Sequence, residues 1–354
     1  NKEMFAAYIT DKGTGKLDTG DLPIPTPGPG QVLIKVEAVP LNPSDLYCME
    51  GKYGDFMNFK YPFVPGWEGA GTVVASGGGL HAWYMQGKRV AFSKCNEDLT
   101  NLEILVGGSY AQYAVTNAYQ CVPLDNDVTF SKGCSFFVNP MTAVGLVEMV
   151  TKDKGTSVIL SAAASQLGKM MIRLFSQENI TVIGTVRKEA QKEELYATFK
   201  DEVKGNEPKL IVLNTGEEGF LQDYKKTITD LETHHLLECI GGSMSGVLTS
   251  ALPPKSQVYL YGALARENIS EIDPFSIINN QIVYQGFLLT HYIEGKNLLQ
   301  LMMLVRKVKK LLREELSSEI QKEFDLKDLK EAIKFYESNM SGGKVILKPW
   351  GVEN

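Results

Sequence analysis

Ser157-Val-Ile-Leu-Ser-Ala-Ala-Ala-Ser-Gln-Leu-Gly168, followed by Thr181-Val-Ile-Gly-Thr-Val-Arg-Lys188, decides how this chain folds. Ser157–Leu160 is a short apolar run of the kind a strand buried on both faces needs, and Thr181–Val186 is a second. Between them, Met170, Met171, Leu174 and Phe175 recur at helical spacing over Gly168–Gln177. Strand, small-residue turn, helix and strand make a βαβ unit over 156–187.

The turn is where phosphate chemistry enters. A dinucleotide site asks for G-x-G-x-x-G: a tight turn, close backbone approach to the pyrophosphate, and close helix–strand packing. Ala163, Ser165 and Gly168 stand in those positions, so one glycine of three is present. The other two are small, and the Ser165 hydroxyl can itself donate to phosphate. Gln166 and Leu167 complete the turn before the helix, whose N-terminus favours an anion. An NAD site would carry Asp or Glu about 20 residues after the last glycine. Arg187 stands there instead, with Lys188 beside it. A carboxylate repels a 2′-phosphate and a guanidinium pairs with it, so the expected cofactor is NADPH.

Working outward, 354 residues exceed what one hydrophobic core usually holds. Residues 1–125 are β-prone, with runs at Phe5–Thr10, Gln31–Val39, Gly69–Ala75, Arg89–Ser93 and Tyr110–Thr116. The proline-rich Leu22–Gly30 stretch reads as an extended lead into the Gln31 strand. From about Lys132 helical spacing takes over, with an expected interruption at Asn139-Pro140. Further strands are expected at Leu210–Leu213, His235–Cys239, Val258–Tyr261 and Ile282–Leu288. This strand–helix alternation predicts a doubly wound parallel α/β sheet. A cationic amphipathic helix over Leu298–Leu312, an Asp325-capped helix over Leu326–Ser338 and a strand over Lys344–Lys348 close the chain. Lys200–Lys209 reads as a charged surface loop.

Composition narrows the functional classes. A net charge of −6 gives no basic field for nucleic acid or anionic lipid, and no apolar run reaches membrane-spanning length. Cys48, Cys95, Cys121, Cys134 and Cys239 form no CxxC pair and read as buried free thiols. The four histidines show no ligand spacing, although His291 lies just past a strand end. The sequence begins at Asn1 without an initiator methionine, so a targeting segment would not be visible in it.

With these residues assembled, the chain resembles the medium-chain dehydrogenase/reductase superfamily, most closely the zinc-free quinone oxidoreductase and mitochondrial 2-enoyl thioester reductase branch. The likeness runs over nearly the whole chain. It rests on Pro25-Thr-Pro-Gly-Pro-Gly-Gln-Val32, Leu41-Asn-Pro-Ser-Asp45, Glu50-Gly-Lys-Tyr53, Pro65-Gly-Trp-Glu-Gly-Ala-Gly71, Val138-Asn-Pro-Met-Thr-Ala143, Ile240-Gly-Gly242, Tyr259-Leu-Tyr-Gly-Ala263, Gly286-Phe-Leu288 and Gly343-Lys-Val-Ile-Leu347.

The resemblance implies a GroES-like β-rich catalytic domain from 1–126 with a return over 298–354, and a Rossmann NADPH-binding domain over 127–297. It places the cofactor in the cleft between them and implies reduction of an activated C=C bond in an enoyl thioester, an enone or a quinone. The zinc-dependent branch carries a cysteine at the position of Asn42, a histidine at Trp67 and a third ligand near Asn139. None of these three residues is a normal zinc ligand, so no metal is expected. Tyr53 matches the tyrosine that serves enoyl reductases as acid or hydrogen-bond donor, and it equally suits an exposed loop. With Trp67 it is expected to line the substrate pocket. Asn42, Asn139, Thr142, Tyr261, Gly262, Ala263, Phe287, Leu288 and Lys344 match cofactor-contact positions. Tyr261 and Phe287 also suit strand-end core residues, and Lys344 a solvated turn. A homodimer through the Ile282–Leu288 edge is implied, in the mitochondrial matrix or the cytosol. The competing reading is a reductase-derived subunit of a larger, mitochondrial assembly that keeps the fold.

Overall fold

The computed structural model describes residues 2–11, 16–53, 61–94, 108–202 and 209–352. Cys95 and most of the Lys200–Lys209 loop lie outside the described residues. The strands, in chain order, are β1 (Glu3–Ile9), β2 (Leu17–Pro23), β3 (Gln31–Pro40), β4 (Glu68–Ser76), β5 (Arg89–Ser93), β6 (Tyr113–Asn117), β7 (Cys121–Pro123), β8 (Ser157–Leu160), β9 (Thr181–Val186), β10 (Leu210–Asn214), β11 (His235–Glu238), β12 (Gln257–Leu260), β13 (Val283–Gly286), β14 (Ile320–Asp325) and β15 (Lys344–Lys348). They fall into two compact units, 1–139 with 308–354, and 140–307.

The first unit is built on antiparallel pairing. β3 carries β4 on one side and β15 on the other, and β6 also pairs with it. Its burial alternates weakly because both faces are covered; Val32, Ile34, Val36 and Val39 have no exposed surface. β15 meets β3 at Ile346↔Pro40 and Leu347↔Val39, and Leu41 N donates to Val345 O at 2.9 Å. That register brings the start of β15 beside the segment following β3.

The second unit is a six-stranded sheet in the order β10-β9-β8-β11-β12-β13, every pair parallel. The order reverses between β8 and β11, the switch point outside which open α/β sheets bind ligands. β8 is buried at all four residues, as a central strand must be. The helix Gln166–Gln177 buries Met170, Met171, Ile172, Leu174 and Phe175, each contributing roughly 1.5–3 kcal/mol when fully removed from water.

Two sequence expectations need correction. The helix Val138–Lys152 runs through Asn139-Pro140 without interruption. Pro140 lies in its first turn, where a missing N–H costs no intrahelical bond. Asp325 opens a 3₁₀ turn, Leu326–Asp328, before the helix Leu329–Ser338, and makes no side-chain cap. Its Oδ1 accepts instead from Val352 N at 2.6 Å. Strands β2, β7 and β14 were not legible in the sequence because their residues lack an apolar alternation.

Candidate functional site

In the unit over 140–307 the candidate residues gather at the carboxyl ends of the parallel strands. After β8 the chain turns through Ser161–Ser165. Ala162 there has φ 49°, a left-handed conformation that costs a residue with a Cβ about 1–2 kcal/mol. Ser165 caps the following helix, its Oγ accepting from Gly168 N at 3.0 Å; such a cap contributes about 1 kcal/mol. Its hydroxyl proton stays available to an acceptor outside the turn. Gly168 is obligatory, because a Cβ would stand 2.4 Å from the Ala163 carbonyl oxygen. Gln166 is buried in the first turn of the same helix.

Arg187 and Lys188 follow β9 and are both exposed. The Arg187 amide donates to Gln191 Oε1 at 3.1 Å, and its guanidinium has no ion-pair partner among the described residues. Nearby Lys192, by contrast, is held by Glu217 at 3.1 Å and Glu189 at 3.9 Å. After β11, Gly241 and Gly242 take φ of 73° and 60°, and the Ile240 and Gly241 amides donate to the Glu238 carboxylate. Beyond β12 the Tyr261 hydroxyl is fully buried beside Cys239, whose thiol burial pushes up to about 12. Phe287 packs on Gly145 and tilts against Tyr292 at 5.6 Å, the packing role it also suited by sequence. Thr142 is buried, whereas Ala263 and His291 are exposed.

In the other unit, Asn42, Asp45, Glu68 and Lys344 form a buried polar cluster. Asn42 and Asp45 have no exposed surface, Glu68 has 1% and Lys344 3%. Lys344 Nζ donates to Asn42 Oδ1, and Asn42 Nδ2 donates to Glu68 Oε1 at 3.1 Å. The other Glu68 oxygen accepts from Phe137 N at 2.7 Å and Val138 N at 3.0 Å. Asp45 accepts from Asn42 N at 2.9 Å and from Trp67 N at 3.0 Å. Burial dominates the titration of all three charges: it lifts Asp45 to about 7, raises Glu68, and lowers Lys344. Lys344 is therefore not a solvated turn residue. Tyr53 is half-buried, its ring edge-on to Trp67 at 5.5 Å, and burial holds its phenol well above the usual value. Asn139 is buried as well. Cys48, Cys121, Cys134 and Cys239 are buried free thiols.

The alcohol dehydrogenase GroES-like domain model matches residues 28–126. Prostaglandin reductase-3 of Bos taurus is 28% identical over 77% of this chain and 68% of its own. The mitochondrial enoyl-[acyl-carrier-protein] reductase of Mus musculus is 28% identical over 68% of this chain and 60% of its own. A Mesorhizobium loti structure described as an NADPH:quinone reductase superposes with a TM-score of 0.81 at 28% identity, covering 99% of both chains.

The chain is similar to the medium-chain dehydrogenase/reductase superfamily.

Three residues of this chain escaped the sequence reading. Gly184 on β9 makes room for Ala163, since a Cβ there would meet the Ala163 methyl at 2.8 Å; its signal was a glycine inside an apolar strand. Asp45 stands three residues after Asn42, a capping-box spacing that was available in the sequence. Glu68 gave no signal, because nothing local shows that a carboxylate after a tryptophan is buried.

Proposed function

We propose that this chain transfers hydride from NADPH to a polarised C=C bond of an enoyl thioester, an enone or a quinone, without a metal ion. The observation that carries the reading is Arg187, an exposed guanidinium with no ion-pair partner among the described residues, at the carboxyl end of β9, the strand paired to the one that leads into the Ser161–Ser165 turn. The names borne by the relatives, prostaglandin, enoyl and quinone reductases, are all those of reductases and support a reduction.

The residues fit the cofactor. A glycine forced by backbone contact opens the helix, a small turn precedes it, and a serine hydroxyl keeps a free proton. The amides of the helix N-terminus and Ser165 would hold the pyrophosphate, with Arg187 and Lys188 on the 2′-phosphate. NADPH supplies the hydride when bound. Tyr53, kept protonated by its burial, donates its O–H to the charge that develops on the substrate, and Trp67 fixes the direction of that ring. Thr142, Tyr261 and the Gly262–Ala263 turn complete the nicotinamide side.

Zinc does not fit. The Asn42 amide oxygen already accepts from an ammonium, an indole at Trp67 offers no donor pair, and Asn139 is a neutral amide. A divalent cation there would face the charge of Lys344. Pairing of two copies through the sheet edge at β13, where Val283 is 46% exposed, and a mitochondrial location belong to the same proposal.

The test is a titration with NADPH and NADH, followed by a panel of crotonyl thioesters, enones and quinones read by NADPH oxidation. Preference for NADPH and turnover with one class are expected. Equal affinity for both nucleotides, or no turnover with any class, would overturn the reading.

A further inference from the structure

Buried lysines are rare because taking an ammonium out of water is costly unless it is paired and hydrogen-bonded. Lys344 is 3% exposed and has no carboxylate within ion-pairing distance among the described residues. Its partner is a neutral amide oxygen, Asn42 Oδ1. The negative charge lies on the far side of that amide, where Glu68 Oε1 accepts from Asn42 Nδ2 at 3.1 Å. One amide therefore spans cation and anion, its oxygen toward the ammonium and its nitrogen toward the carboxylate. That polarity fixes which way Asn42 points. Asp45 adds a second carboxylate, tying the Asn42 backbone to the Trp67 backbone at 2.9 and 3.0 Å. Trp67 in turn packs against Tyr53 in a T-shaped pair.

We infer that Lys344 is a built-in cation which takes, at Asn42, the electrostatic place that a metal ion holds in the zinc-dependent branch, and that it positions Asn42, Trp67 and Tyr53 rather than touching substrate. The inference deepens the proposed reduction by naming what replaces the metal, and it rests on that reading only for its consequence in turnover. The cluster is complete within one compact unit, since residues 42, 45, 67, 68 and 344 all belong to 1–139 with 308–354. The register of β15 on β3 delivers the side chain: Gly343 takes φ 139°, and a Cβ there would stand 2.9 Å from Glu319 O, so the turn before Lys344 needs glycine.

Chemical rescue tests this without relying on activity. Lys344→Ala leaves a pocket with a fixed amide acceptor and a nearby carboxylate. The variant is expected to melt roughly 10 °C below the parent. Ethylammonium chloride should recover at least half of that loss, with propanol and sodium chloride giving none. The parent should not respond to the amine. In turnover, Lys344→Ala should lose about a hundredfold in kcat with KM for NADPH unchanged, and the amine should restore part of it. Equal rescue by propanol would reduce Lys344 to a space-filling residue, and no rescue by either would remove the cation role; both overturn the inference.

If Lys344→Ala does not fold, the double variant Lys344→Met/Glu68→Gln removes both charges. It should fold yet keep the low kcat, because the Asn42 oxygen has lost its donor. Full activity in the double variant would show that Lys344 serves only as a counter-ion. A parent enzyme inactive on every alkene would sink the proposed function and leave the thermal rescue result standing.

Discussion

Gly168 faces the carbonyl of Ala163 so closely that a single added carbon would lie 2.4 Å from its oxygen. That contact sets the start of the helix against the end of β8. Gly168→Ala should therefore push the helix off the strand and move the Ser165 cap with it. The expected cost is about 2–3 kcal/mol, typical of overpacking, seen as a lower Tm. Binding of NADPH should weaken at the same time. An unchanged Tm would show that the helix can slide.

Arg187→Ala should weaken NADPH by about ten- to a hundredfold, the loss of a charge-assisted bond worth roughly 1.5–3 kcal/mol, and leave NADH nearly unaffected. Fluorescence titration with each nucleotide gives the ratio directly. A parallel loss for both would place Arg187 outside cofactor selection. Because the guanidinium has no ion-pair partner among the described residues, stability should not change.

Tyr53→Phe should lower kcat by about a hundredfold, within the usual range for a positioned acid, with NADPH affinity intact. Burial raises the phenol above its ordinary range. The tyrosine therefore stays protonated through neutral and mildly alkaline pH. An alkaline limb in the rate profile of the parent should consequently survive in Tyr53→Phe at reduced height. A limb that vanishes with the hydroxyl would mean that Tyr53 titrates there.

Asp45 gives a stability prediction with a definite sign. Its carboxyl rises to about 7 in the fold, against about 3.9 unfolded. The folded protein therefore binds the extra proton between those values. The stabilisation is full below about pH 4 and is lost as pH rises through 7. Glu68 and Lys344 face the same carboxyl and shape the curve. Asp45→Asn should flatten the fall in Tm between about pH 4 and 7, the window between the unfolded and folded values, and an equally steep fall would assign it to another group. The variant should also melt lower throughout, since Asn42 N and Trp67 N donate to different carboxylate oxygens and an amide sets its NH2 against one of those donors.

Much of the fold was legible because local patterns coincide with tertiary demands. β8, β9 and β15 have the bounds their mainly apolar runs suggested, since a strand buried on both faces is built mostly of apolar side chains. β2 and β14 were not readable, because half-exposed strands such as Leu-Asp-Thr-Gly-Asp-Leu-Pro at 17–23 are held by their partners rather than by composition. Pro140 misled because a proline's meaning depends on its position in a helix, and that position follows from where the helix begins.

By itself, the sequence determined the βαβ unit, the single obligatory glycine and the basic strand end at Arg187. All three depend on contacts within some thirty residues, where chain connectivity already decides the neighbours. Only the tertiary structure decided that Ala163 is tolerated because of Gly184, and that Lys344 reaches Asn42 across 302 residues. Burial decided both. Whether a lysine is a solvated turn or a buried cation is set by the strands packed around it, and no local pattern encodes that.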